Sequence, residues 1–142
     1  MARRTLFERL GGKDAVVAVV DEFVARCAAD GRINPKFART DVARLKAMLV
    51  EQVSAATGGP VTYTGRSMRE THDGMSVTAG EFDALVEDLV ATLNQFNVPQ
   101  AEQQELLGIL GPLRGDIVEV ESPETGTPIP ENYKNAAPLA RV

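Results

Sequence analysis

The chain has 142 residues, 44% of them apolar and 25% charged, with a net charge of −5, one histidine, one cysteine and no tryptophan. That size and composition describe one globular domain with room for a core rather than a disordered chain. The acidic excess and scattered basic residues set aside non-specific binding to nucleic acid or to an anionic membrane.

No apolar run reaches the roughly 18 residues of a membrane span. The opening MARRTLFERLGG has no secretory core, and the lone Cys27 allows no internal disulfide, so a cytoplasmic protein is expected. Cys27 lies on an apolar helical face and reads as a small buried hydrophobe.

In chain order, the spacing predicts helices almost throughout. Thr5 and Glu8 have capping-box spacing and open a short helix that Gly11-Gly12 ends. From Lys13 to about Ala29, Val16, Val19, Val20, Phe23, Val24 and Cys27 recur at helical spacing. Asp30-Gly31 stops that helix, and 32–40, with Asn34-Pro35 and Phe37, reads as a turn region. Asp41 caps a helix to about Ala56, with Val42, Leu45, Leu49, Val53 and Ala56 as its stripe, and Gly58-Gly59-Pro60 terminates it.

Residues 61–76 read mostly as loop, with at most a short helix from Ser67 to His72. Thr78 and Glu81 repeat the capping-box spacing and begin an amphipathic helix carrying Phe82, Leu85, Val86, Leu89, Leu93 and Phe96. A last helix starts near Pro99 and carries Leu106, Leu107, Leu110, Leu113 and Ile117, with Pro112 bending or splitting it. Four of the eight prolines (Pro123, Pro128, Pro130 and Pro138) fall in the last 22 residues. Residues 121–142 are therefore a tail, extended and flexible or draped over the domain, and a partner motif is a further option.

His72 is the only imidazole. As a metal ligand it rules out every multi-histidine zinc or non-haem iron site and leaves an iron already held by a porphyrin. The other reading is an ordinary core or surface histidine.

The ordered set Leu10-Gly11-Gly12, Phe23, Phe37, Gly58-Gly59-Pro60, Tyr63-Thr64-Gly65, Met68, His72 and Val77-Thr78 closely resembles the truncated haemoglobins, and within them the group with glycine pairs after the first and third helices. The resemblance covers residues 5 to about 120. It implies an all-α truncated globin, a two-over-two helical sandwich around haem b, with residues 1–120 as the domain. It also implies that His72 is the proximal iron ligand. The distal pocket it implies is Phe23, Val24, Leu45 and Leu49, with Phe37 packing flat on the porphyrin. Val24 stands where the family usually has tyrosine, and Leu49 where it often has glutamine. Gln52 is expected to point off the stripe.

Met68, Val77, Phe82 and Val86 read as packing on the proximal side. Lys46, Arg66, Arg69 and Tyr63 are candidates for the haem propionates. Of the two sixth-ligand candidates, Lys46 and Met48, Met48 is the better placed, although packing is its simpler role. Small residues such as Val20, Val53 and Ala56 leave room for a gas tunnel.

O₂ gains negative charge when it binds iron, and a hydrogen-bond donor to it contributes about 1.5–3 kcal/mol. An apolar distal side should therefore weaken O₂ binding roughly ten- to a hundredfold. CO, which gains less charge, should lose less. The expected function is reversible binding of O₂, CO or NO at a five-coordinate haem, including oxygen transport, with a reductase as a possible partner and a monomer or weak dimer as the assembly. The alternatives are a haem redox enzyme (nitric-oxide dioxygenase or peroxidase-like) and a haem-free interaction module. The apolar distal side counts against peroxide cleavage, which needs an acid–base group.

Overall fold

A computed structural model describes residues 4–38, 40–65 and 67–130. Helix α1 (Leu6–Leu10) begins at the capping box: Thr5 Oγ1 accepts from Glu8 N at 3.1 Å, and the Glu8 carboxylate accepts from Thr5 N at 3.0 Å. Gly11 closes α1 at φ +115°, a left-handed conformation, and a Cβ there would lie 2.8 Å from that of Ala15. Only glycine meets both demands.

Helix α2 (Gly12–Ala29) follows directly and ends at Asp30. A 3₁₀ turn over Asn34–Phe37 leads to α3 (Val42–Ala56), which Asp41 caps by accepting from Arg44 N. The short α4 (Met68–His72) has its own capping box, from Ser67 and Glu70. Helix α5 (Ala79–Gln95) has the box of Thr78 and Glu81. Pro112 splits the last helical stretch into α6 (Gln100–Leu110), a 3₁₀ turn (Gly111–Leu113) and α7 (Arg114–Ile117), as a ring without an N–H should.

Helix α2 packs against both α3 and α5, α1 against α2 and α6, and α4 against α7. Val16, Val20 and Val24 meet Leu45, Leu49 and Val53 between α2 and α3. Leu89 and Leu93 meet Leu106 between α5 and α6. Cys27 is buried with Ile33 and Ala84, and that burial pushes its thiol pKa up to about 12, so it packs as a hydrophobe.

Among the described residues the only β pairing is one bridge, Thr78 with Val120. From there the chain turns back over the start of α5. Val120 O accepts from Ala79 N, Glu124 O from the Thr78 hydroxyl, and Arg32 O from Gly126 N. The fit is close: a Cβ on Gly80 would collide with the backbone of Pro123 and Glu124. Beneath it lies a buried ion pair, Lys36 Nζ to Glu81 at 3.8 Å, with side chains 4% and 1% exposed. Lys36 also donates to Pro128 O, and Glu81 accepts from the backbone and hydroxyl of Thr127. Burial lowers the Lys36 pKa, against the pull of Glu81 and Glu119. Residues 118–130 are thus draped over the domain; the tail beyond, with Pro138, lies outside the described residues.

Candidate functional site

Helices α2, α3 and α5, with α4 and the last helical segments, enclose a cavity of about 550 Å³. Its volume is in the range of small-molecule and cofactor sites. Phe23, Val24, Phe37, Leu45, Leu49, Tyr63, Met68, His72, Phe82 and Val86 all line it. Residues from α2, the 3₁₀ turn, α3, the loop at Tyr63, α4 and α5 therefore converge on one space.

His72 is the last residue of α4, and its Nδ1 lies 2.7 Å from Met68 O. A carbonyl oxygen can only accept, so Nδ1 carries the proton and Nε2 keeps its lone pair. The ring is half-buried and borders the cavity. Burial lowers its pKa, opposed by the Met68 hydrogen bond and the charge of Glu119. It is therefore a neutral imidazole with one nitrogen available as a ligand. Among the described residues no group of three or more His, Cys, Asp or Glu could hold a metal ion.

Three residues expected at the cofactor are not on the cavity wall. Lys46 is rotated by about 100° from Leu45 along α3 and pairs with Asp21 of α2 at 3.1 Å. Arg69 has a side chain 82% exposed, 3.9 Å from Asp116. Val77 is buried one layer out, against Met75, Ile117 and Ile129, because its carbonyl is tied to Glu119 N and Val120 N. Arg66 lies outside the described residues.

Gln52, expected off the stripe, is on the wall with Met48. The spacing explains it: Gln52 is seven residues past Leu45 and three past Leu49, which is the same helical face. Sequence reasoning also missed Thr40 and Thr71, both on the wall. No periodic signal separates a cavity-facing threonine from a solvated one. Val20, Val53 and Ala56 line the cavity as well.

A helical sandwich enclosing an apolar cavity, with one imidazole on its wall, is the architecture of a globin. The bacterial-like globin family model matches residues 5–119, and the chain belongs to that family, whose members bind haem and, through it, diatomic gases.

The relatives narrow the family to its truncated members. The chain is 35% identical over 118 residues to a group 1 truncated hemoglobin, GlbN, of Mycolicibacterium paratuberculosis, covering 83% of this chain and 87% of that one. It is 40% identical over 111 residues to GlbN of Synechocystis, covering 75% and 90%. Among solved structures, the truncated hemoglobin of Tetrahymena pyriformis in its Fe(III) form superposes with a TM-score of 0.78 at 33% identity, covering 81% of this chain and 98% of that one. The fold is thus the two-over-two helical sandwich of the truncated globins.

Proposed function

We propose that this chain holds haem b through His72 and binds diatomic gases reversibly in a pocket with an apolar distal side. The observation that carries the reading is the single neutral imidazole, its Nδ1 committed to Met68 O, on the wall of an apolar cavity of about 550 Å³. These residues fit the group: a porphyrin needs a large apolar slot, and its iron needs one nitrogen from the protein. Haem, when bound, would supply an iron able to take up a diatomic gas.

The chain does the rest. Met68 fixes the tautomer and direction of the His72 ring. Phe37, Phe82 and Val86 supply apolar surface for the ring system and keep water out. Tyr63, also on the wall, is the hydroxyl candidate for the propionates, whereas Arg69 and Lys46 are held in surface ion pairs.

Val24, Leu45 and Leu49 offer no donor to a ligand that gains negative charge, so O₂ is held weakly and CO comparatively well. Gln52 is the nearest amide, seven residues along α3 from Leu45. The sequence has no second imidazole, and Met48 lines the cavity. Among the described residues the wall carries no carboxylate, so acid–base cleavage of peroxide has no group there to serve it beyond Tyr63 and the ligand histidine itself. Gas binding is therefore the better reading than a redox enzyme. A cytoplasmic, monomeric or weakly dimeric carrier, kept reduced by a reductase, completes it.

The test is the absorption spectrum. The purified protein should show a Soret band, and His72→Ala should lose it or need added imidazole to restore it. An unchanged spectrum in His72→Ala would remove His72 as the ligand, and a wild type that stays colourless after haem is added and the excess removed would remove the whole reading.

A further inference from the structure

His72 ends α4, so the direction of its ring depends on how the chain leaves that helix. The next residues form a turn in which Met75 N donates back to His72 O at 3.0 Å. The turn is demanding: Gly74 sits at φ +85°, and Ser76, with a full side chain, at φ +58°. L-residues disfavour that left-handed state. Something must hold it.

Glu119, more than forty residues further along, does so. Its carboxylate accepts from Gly74 N at 3.1 Å and from Ser76 N at 2.8 Å, one oxygen to each. Its own N–H and that of Val120 donate to Val77 O, at 2.9 and 3.2 Å. A carboxylate bonded to two backbone N–H groups is a charge-assisted clamp, stronger than a neutral pair. The same charge also acts on the His72 imidazole.

We propose that Glu119, carried in by the C-terminal segment, is a positioning residue for His72: it fastens the turn that follows the ring and so sets the imidazole's approach to the haem iron. The assignment rests on the haem reading given above.

Two measurements separate the two claims. The first needs no haem: amide hydrogen exchange at Gly74 and Ser76 in the full chain as purified. Glu119→Ala should speed exchange at both sites by about tenfold or more. Glu119→Gln, which keeps one acceptor oxygen, should fall between, and it serves if the alanine variant folds poorly. The second measurement reads the ring: the iron–histidine stretching band of the ferrous protein and its reduction midpoint.

Both should move in Glu119→Ala. Neither should move in Glu121→Ala, which breaks only the exposed pair with Arg114 in the same segment. Unchanged exchange at Gly74 and Ser76 would overturn the clamp. Faster exchange with an unmoved band and midpoint would make Glu119 a mere fastening and overturn the positioning role. A wild type without a Soret band would overturn the haem reading and this assignment with it, whatever the exchange rates.

Discussion

Val20, Val24, Leu45 and Leu49 hold their side of the cavity by burying apolar surface between two long helices, whereas His72 sits on a helix of five residues held in place by hydrogen bonds. A helix that short does not persist by itself in water. Its position comes from the Ser67–Glu70 box, from Glu119 on the following turn, and from the draped segment anchored over Glu81 and Lys36. The apolar wall spreads its energy over many weak contacts and tolerates a change of identity at nearly constant volume. The polar side concentrates its energy in a few bonds, so a single loss there is expensive.

The sharpest break in that comparison is Glu81→Ala. It leaves the ammonium of Lys36 buried without its carboxylate and releases Thr127 and the N-cap of α5 together. Removing one partner of a buried pair costs about 3–5 kcal/mol, read as a lower denaturant midpoint. The double replacement Lys36→Met with Glu81→Leu should recover much of that loss, because no buried charge is left unpaired. A loss below about 1 kcal/mol in Glu81→Ala would mean that water reaches Lys36, and that the segment over it is loosely held.

Much of the apolar side was legible in the sequence, because helical spacing reports which residues share a face. Phe23, Val24, Leu45, Leu49, Phe82 and Val86 meet the cavity as their stripes require. The caps at Thr5, Asp41 and Thr78 are equally local, and the chain breaks at Pro112 as its ring demands. What escaped is long-range and polar. Nothing in Asn34-Pro35-Lys36-Phe37 announces that Lys36 is buried, since its partner lies 45 residues away. Glu81 was legible as a cap, not as an ion-pair partner, and Glu119 was invisible because its two acceptor bonds reach back across more than forty residues. Lys46 and Arg69 were drawn to the cofactor by their charge, whereas acidic neighbours on the surface claim them.

A smaller perturbation tests the apolar wall. Val24→Tyr adds a donor where Val24, Leu45 and Leu49 offer none. A charge-assisted hydrogen bond to O₂ contributes about 1.5–3 kcal/mol, so O₂ release, followed by stopped-flow, should slow by about tenfold or more. CO release should change far less. Leu49→Gln should act in the same direction. If neither alters O₂ release, these positions do not face the ligand, and the weak-binding reading loses its basis.

The smallest effect is also the most local. Ser67→Ala removes the hydroxyl that accepts from Glu70 N at 3.1 Å, and with it half of the box that starts α4. Loss of an N-cap costs about 1 kcal/mol, seen as a modest fall in thermal midpoint. Thr5→Ala removes the same chemistry from α1 and should cost a similar amount. The two variants should nonetheless part company at the cofactor. Fraying α4 frees Met68 and His72 together, so haem should leave Ser67→Ala faster than the wild type when apomyoglobin is used to trap it. Thr5→Ala, on a helix that packs against α2 and α6, should keep the wild-type rate. Equal rates in both would mean that the α4 cap contributes only to overall stability, and that His72 is held from its C-terminal side, where Glu119 acts.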